Sequence, residues 1–439
     1  MVFLGIGISI LLLVLLIVWV KLEPFIAFLL VSVAAGILLG IPLDRVMAAI
    51  QKGIGDLLGG LIIIITLGAM LGKIVADSGA AQRIAEFLMK LFGQYRIQWA
   101  ITLTSLVVGI PLFFNVGFVL LVPLVFTVSY QYKIPAMYIG VPMLAALSVT
   151  HGLLPPHPAP VALVAQFDAN MGLTLIYGLI IAIPLILVAG PLMARLPWIR
   201  SMHVMPLEAF RSEMQPSESL PSLANSLVSA LLPVFLLIAT SLALLDASPE
   251  VPGYTWLVFL GDPGIVMLFS LLWATVSLGI RKGKSVAAIM DSFGKAVKDI
   301  ALVILIIAGA GAFKEVLVSS GVSAEIATAM EDWAVPPLVL GWLIAAIIRV
   351  SVGSATVAAL TAAGIIGPLV EGSGVNANLM VLAIGSGSLI FSHFNDGGFW
   401  LVKEYFNLTI KQTLTTWSLV ETVAAVGGLL GVLAMNLIL

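Results

Sequence analysis

The chain has 439 residues, of which 61% are hydrophobic and only 10% charged; its formal net charge is −2 and it contains no cysteine. Soluble domains carry roughly 25% charged residues, so a water-soluble fold is excluded and an integral membrane protein is implied. The near-neutral charge forms no basic stripe, which argues against a nucleic-acid partner, and the lack of thiols excludes disulfides and thiolate metal sites.

In chain order, apolar runs over Phe3–Val20, Phe25–Ile41, Leu57–Val75, Leu173–Ala194, Leu223–Leu245, Trp256–Ile280 and Ile300–Val318 each approach or exceed the ~20 residues needed to cross a hydrocarbon core. The first has no basic segment before it and no small-residue cleavage site after it, so it is expected to be retained as a helix. Laying the chain over itself gives an internal repeat at an offset of roughly 240 residues: Ala48-Ala49-Ile50 matches Ala287-Ala288-Ile289, Gly68–Gly79 matches Gly309–Gly321, and His151 matches His393. The polar segment Pro197–Pro221 separates the copies. The expected division is therefore a first repeat over 1–196, a linker loop over 197–222 and a second repeat over 223–439.

Each repeat reads as two helices, a charged amphipathic stretch, a third helix, a Gly/Pro-interrupted hairpin, a helix that breaks and a final helix. Gly109-Ile110-Pro111 and Gly353-Ser354 interrupt apolar stretches too short to cross twice, which suits re-entrant hairpins. The expected fold is thus an all-α integral membrane protein of two inverted-topology repeats, with re-entrant helical hairpins and broken transmembrane helices. Basic residues cluster in alternate loops, among them Arg83, Lys90, Arg96, Arg195, Arg200, Arg211, Arg281, Lys282 and Lys284, whereas the opposite loops hold Arg45 and Lys52 and the acidic segments Asp246–Tyr254 and Ser320–Pro336. The positive-inside rule then makes the linker cytoplasmic and both termini periplasmic, in a bacterial inner membrane.

Polar groups at membrane depth are functional candidates. Four clusters qualify. Phe113-Phe114-Asn115 follows the first hairpin break; its backbone amides suit a carboxylate and Asn115 a hydroxyl, or Asn115 caps the half-helix. Thr150-His151, running on to His157, sits where prolines forbid a continuous helix. His151 is read as a binding or proton-transfer group because His393 repeats it, and His157 as a structural histidine. Arg349, Ser351, Gly353, Ser354 and Thr356 place a guanidinium beside hydroxyls and a glycine that permits close backbone approach; Arg349 either meets an anion or pairs internally with Glu315 or Asp396. Ser392, His393, Asn395 and Asp396 form the last cluster. Asp396 is the leading proton carrier, with His393 and His151 beside it; its alternative role is to cap the following helix. Glu421, Lys73 and Lys314 are weaker candidates. No P-loop, metal-ligand spacing or nucleophile triad is present, so no cofactor and no metal are expected.

Four long strings, GIPLFFNVGFVLLVPLVF, LSVTHGLLPPHPAP, RVSVGSATVAALTAAG and SHFNDGGFWLVKEYFNLTI, resemble the gluconate permease family of proton symporters nearly end to end. The resemblance implies import of D-gluconate or a close aldonate with protons, by alternating access, from a homodimeric scaffold. It also implies hairpin tips at Phe114-Asn115 and Ser354-Ala355-Thr356 and helix breaks at Thr150-His151 and His393–Asp396. Many relatives have an acidic residue where this chain has Asn115, which moves the proton role toward Asp396 and the histidines. A transporter of the same fold for D-serine or another small carboxylate, a sodium-coupled one, a channel and a membrane enzyme using His393 and Asp396 remain as alternatives.

Overall fold

The computed structural model describes residues 2–202, 216–245, 250, 252–321, 335–370, 374–393 and 396–439. Much of the 197–222 linker, both acidic segments in part, and Asn395 lie outside the described residues. The described residues are helical throughout. Among the described residues, seven helices are long and apolar enough to cross a membrane, or eight if the bent third helix counts as one span.

The first half runs α1 (Val2–Val18), α2 (Pro24–Leu38), α3 (Leu43–Asp77), α4 (Ala80–Phe92), α5 (Ile97–Gly109), α6 (Phe114–Tyr132), α7 (Ala136–Leu153), α8 (Pro158–Gln166) and α9 (Met171–Leu187), followed by the short α10 (Pro197–Arg200). The second half runs α11 (Leu223–Leu245), α12 (Tyr254–Gly261), α13 (Pro263–Ala274), α14 (Val286–Ser319), α15 (Pro337–Val352), α16 (Ala355–Val370), α17 (Ala377–Gly387), α18 (Gly397–Tyr405), α19 (Ile410–Thr413) and α20 (Leu419–Asn436). From the long helix onward, the order of long helix, hairpin pair, broken pair and final helix occurs in both halves.

Three details depart from the sequence reading, each for a local reason. The amphipathic stretch and the third helix of each half are one continuous helix, 35 residues in α3 and 34 in α14, because neither contains a proline. α3 instead bends by 43° between Leu43–Gly59 and Leu61–Asp77. The Trp256–Ile280 run is two helices: Pro263 cannot continue α12, and Asp262 starts α13 by accepting from the amides of Gly264 at 2.9 Å and Ile265 at 3.1 Å, a side-chain N-cap. Thr150 and His151 remain helical, since α7 runs on to Leu153 and the break falls between Leu154 and His157.

The scaffold is centred on α3 and α14, which pack along each other and against α2. Their crossing is possible only with small residues. A Cβ on Gly53 would lie 2.3 Å from the Gly311 carbonyl oxygen, and one on Gly311 would lie 2.5 Å from the Gly53 carbonyl oxygen, so backbone meets backbone as at other small-residue membrane interfaces. The ends of the pair are tied by Asp77, whose carboxylate takes Lys73 at 2.9 Å and the Ser292 hydroxyl at 2.6 Å. Lys314 donates to the Gln166 carbonyl at the C-terminal end of α8, 2.6 Å away, and Glu315 pairs with Lys52 at 2.9 Å. Glu315 is thereby committed away from Arg349.

Candidate functional site

The first hairpin breaks at a glycine and a proline, the second at a glycine. α5 ends at Gly109 and α6 begins at Phe114, with Ile110-Pro111-Leu112-Phe113 between them. In the second hairpin Gly353 adopts φ +82°, a left-handed conformation that ends α15 and that a side chain would oppose. Ser354 then opens α16, its hydroxyl accepting from the Val357 amide at 3.3 Å. The second helix break, from Ser388 to Asp396, places Asp396 at the start of α18, where it accepts from the Gly398 amide at 2.9 Å.

These interruptions converge on one cavity of about 560 Å³, within the size range of small-molecule sites. The N-terminal ends of α6, α16 and α18 all reach it, through Phe114-Asn115, Ala355-Thr356 and Gly397-Gly398. Unpaired amides in the first turn of a helix carry partial positive charge and suit an anion. Of the residues singled out in the sequence, Phe114, Asn115, His151, Arg349, Gly353, Ser354, Thr356 and Asp396 line the cavity.

The charged core of the site is a guanidinium between two carboxylates. Arg349 Nη2 lies 2.6 Å from Asp396 Oδ2 and 3.9 Å from Glu421 Oε2, with side-chain exposures of 3%, 14% and 2% respectively. Arg349 Nη1 also donates to the Gly353 carbonyl, which fixes the fork to the hairpin turn. Asp396 takes a further hydrogen bond from Ser392, and Glu421 takes one from Ser148. The internal Arg349–Asp396 pair and the Asp396 cap, each an alternative in the sequence, are both present, and both leave the cation at the cavity wall.

The remaining candidates sit behind that wall. Thr150 is fully buried and its hydroxyl bonds back to the Ala146 and Leu147 carbonyls at 2.9 Å, facing Gly109 and not the cavity. The Ser351 hydroxyl bonds the Ile347 carbonyl at 2.9 Å. Ser392, buried, accepts from the Trp417 indole N–H at 2.7 Å and its own hydroxyl donates to Asp396. His393 Nε2 lies 2.9 Å from the Val350 carbonyl, so it braces α15 one residue beyond Arg349. His157 Nε2 similarly lies 2.9 Å from the Gly109 carbonyl and joins the first helix break to the first hairpin.

Sequence reasoning passed over three polar or aromatic lining residues, Ser148, Asp299 and Trp417, and gave Glu421 only a weak place. Trp417 enters through a π-helical turn over Leu414–Ser418, a feature common at functional sites, and stacks near Phe114 with ring centroids 5.2 Å apart. Glu421 did carry a signal, since it is the one acidic residue in an otherwise apolar final helix.

The family model described as GntP family permease matches residues 1–438. The chain is 47% identical over 438 residues to the high-affinity gluconate transporter of Escherichia coli (strain K12), covering 99% of each. It is 46% identical over 428 residues to the Gnt-II system L-idonate transporter of the same organism, covering 98% of this chain and 97% of that one. Against the gluconate permease of Bacillus subtilis (strain 168), identity is 44% over 446 residues, with 99% of each chain covered. Among solved structures, the YdaH transporter of Alcanivorax borkumensis has a similar fold, with a TM-score of 0.70 at 18% identity over 94% of this chain and 98% of that one. MtrF of Neisseria gonorrhoeae gives 0.68 at 12% identity over 93% of each.

Proposed function

From a chain that belongs to the GntP permease family and is a multi-pass membrane transporter, not an enzyme, we propose import of D-gluconate or a closely related sugar acid with protons, by alternating access. The observation that carries this reading is the meeting of one buried guanidinium with three helix N-termini and several hydroxyls and amides in a single cavity. Gluconate has one carboxylate and a row of hydroxyls, and the wall offers a partner for each. Arg349 and the first-turn amides of α16 take the carboxylate; Asn115, Ser354 and Thr356 take hydroxyls. The relatives named for gluconate and idonate support the same substrate class.

Electrostatics supports the proton. Besides Arg349, the charged side chains at the cavity are Asp299, Asp396 and Glu421, so an incoming anion meets more negative than positive charge. Two like charges about 4 Å apart repel by about 4 kcal/mol at an effective dielectric near 20, roughly a thousandfold in affinity. A proton taken up with the substrate removes that penalty, and the two bindings become coupled.

In this reading 1–196 and 223–439 are inverted repeats about a cytoplasmic 197–222 linker, and both termini are periplasmic in the bacterial inner membrane. Each repeat contributes a hairpin and a broken pair to the mobile part, while α3 and α14 belong to the scaffold and two copies associate as a homodimer. Labelled D-gluconate uptake into proteoliposomes tests the function: an inward proton gradient should drive accumulation that a protonophore abolishes. Uptake confined to D-serine or citrate, or dependent on sodium at fixed pH, would refute it.

A further inference from the structure

Building on proton-driven sugar-acid transport, we infer that Glu421, not Asp396, takes up the coupled proton, with Ser148 as its hydrogen-bond partner and Arg349 as the group shared by Glu421 and the substrate. The two carboxylates differ in what surrounds them. Asp396 receives the Arg349 fork at 2.6 Å, the Gly398 amide at 2.9 Å and the Ser392 hydroxyl. Arg349 donates to Asp396 Oδ2 and the Gly398 amide to Oδ1, and a guanidinium and a backbone amide can only donate, so a proton on either oxygen would compete with one of these bonds. Asp396 is committed to these donors and positions Arg349.

Glu421 is built differently. It is buried in α20, its one close hydrogen-bond partner is Ser148, and Arg349 Nη2 stands 3.9 Å away, beyond hydrogen-bonding distance. A serine hydroxyl donates to a carboxylate and accepts from a carboxylic acid, so it serves both protonation states without rearrangement. The groups facing Glu421 across the cavity are Ser148 and His151 from α7, Arg349 from α15 and Asp396 from the helix break, with Asp299 on the α14 wall. α9 and α17, which also pack against α20, add no titratable group to the cavity wall.

The cycle balances without any other reactant. A proton from the periplasmic side neutralises Glu421, Arg349 keeps Asp396 as its internal counter-ion, and its remaining face takes the substrate carboxylate. After both leave on the cytoplasmic side, ionised Glu421 becomes the second partner of the arginine and the empty carrier returns. Protonation of Glu421 and anion binding at Arg349 are thus one linked event.

The test compares wild type, Glu421→Gln and Ser148→Ala in proteoliposomes, by accumulation of labelled D-gluconate and by the pH dependence of its binding. Wild-type accumulation that collapses with a protonophore establishes the parent reading; its absence defeats that reading before the variants are considered. Given it, Glu421→Gln should bring the inside-to-outside ratio down to about unity and make gluconate binding independent of pH across the neutral range. Accumulation at the wild-type level, or unchanged pH dependence, would overturn the assignment. Ser148→Ala keeps the carboxylate and should displace the midpoint of the binding pH profile. An unmoved midpoint would count against Glu421 even if Glu421→Gln did not fold.

Discussion

The two hairpins of this molecule reach the same cavity and are unlike in charge. In the first, Gly109 to Phe114 presents amides, aromatic rings and one neutral amide side chain, Asn115, and the neighbouring His157 is engaged with the Gly109 carbonyl. In the second, Gly353 sits under the Arg349 fork, and the neighbouring break supplies Asp396. The α3–α14 crossing, by contrast, is uncharged where it is closest: Gly53 and Gly311 meet backbone to backbone. The site therefore draws aromatic surface and a neutral amide from the first half of the chain and its charged side chains from the second. Glu421 on α20 adds to the second half's share.

The largest effects should come from breaking the charged side. Arg349→Ala leaves Asp396 and Glu421 buried without their cation, a loss of about 3–5 kcal/mol, and should abolish gluconate uptake while lowering the thermal unfolding temperature in detergent. Arg349→Lys preserves a charge but not the planar fork; it should retain most of the melting temperature and still lose uptake. A lysine variant with near-normal uptake would show that a point charge suffices.

The α3–α14 crossing should respond alike to a change at either glycine. Gly53→Ala and Gly311→Ala each force a Cβ against a carbonyl of the partner helix, and each should cost about 1–3 kcal/mol of stability, read by thermal unfolding, with the KM of the surviving carrier unchanged. Unequal costs would mean that one helix yields more readily than the other.

The two first-half histidines sharpen the contrast further. His157→Phe removes the link to Gly109 and should lower stability by about 1–3 kcal/mol with little change in KM, whereas His151→Phe should raise KM with little change in melting. The smallest effect belongs to Asn115→Ala. Loss of one hydrogen bond to a substrate hydroxyl is worth about 1 kcal/mol, roughly a fivefold rise in KM, measurable by initial-rate uptake.

Much of this was legible in the sequence because glycine, proline and buried charge leave marks that do not depend on tertiary context. Gly109-Ile110-Pro111 and Gly353-Ser354 mark the hairpin breaks, and Arg349 and Asp396 stand out against apolar flanks. What escaped was set by neighbours far along the chain. Ser148 and Glu421 are 273 positions apart, and no local pattern announces their hydrogen bond. Thr150 resembled an unwound residue because prolines follow it, yet those prolines disturb only the turn after Leu153, and its hydroxyl settles on its own helix. Trp417 reached the site through a π turn that its own sequence, Leu-Thr-Thr-Trp-Ser, does not reveal. The Asp262-Pro263 pair was visible but overridden by the hydropathy of the run around it.

The central claim is that an anion and a proton bind as one event at the Arg349 cluster, and its most direct test is proton uptake on substrate addition. Purified protein in weakly buffered detergent solution, titrated with D-gluconate and followed with a pH indicator, should take up protons on binding, rising toward about one for each gluconate as the starting pH is raised into the alkaline range. Saturable gluconate binding with no proton uptake at any starting pH would contradict the account.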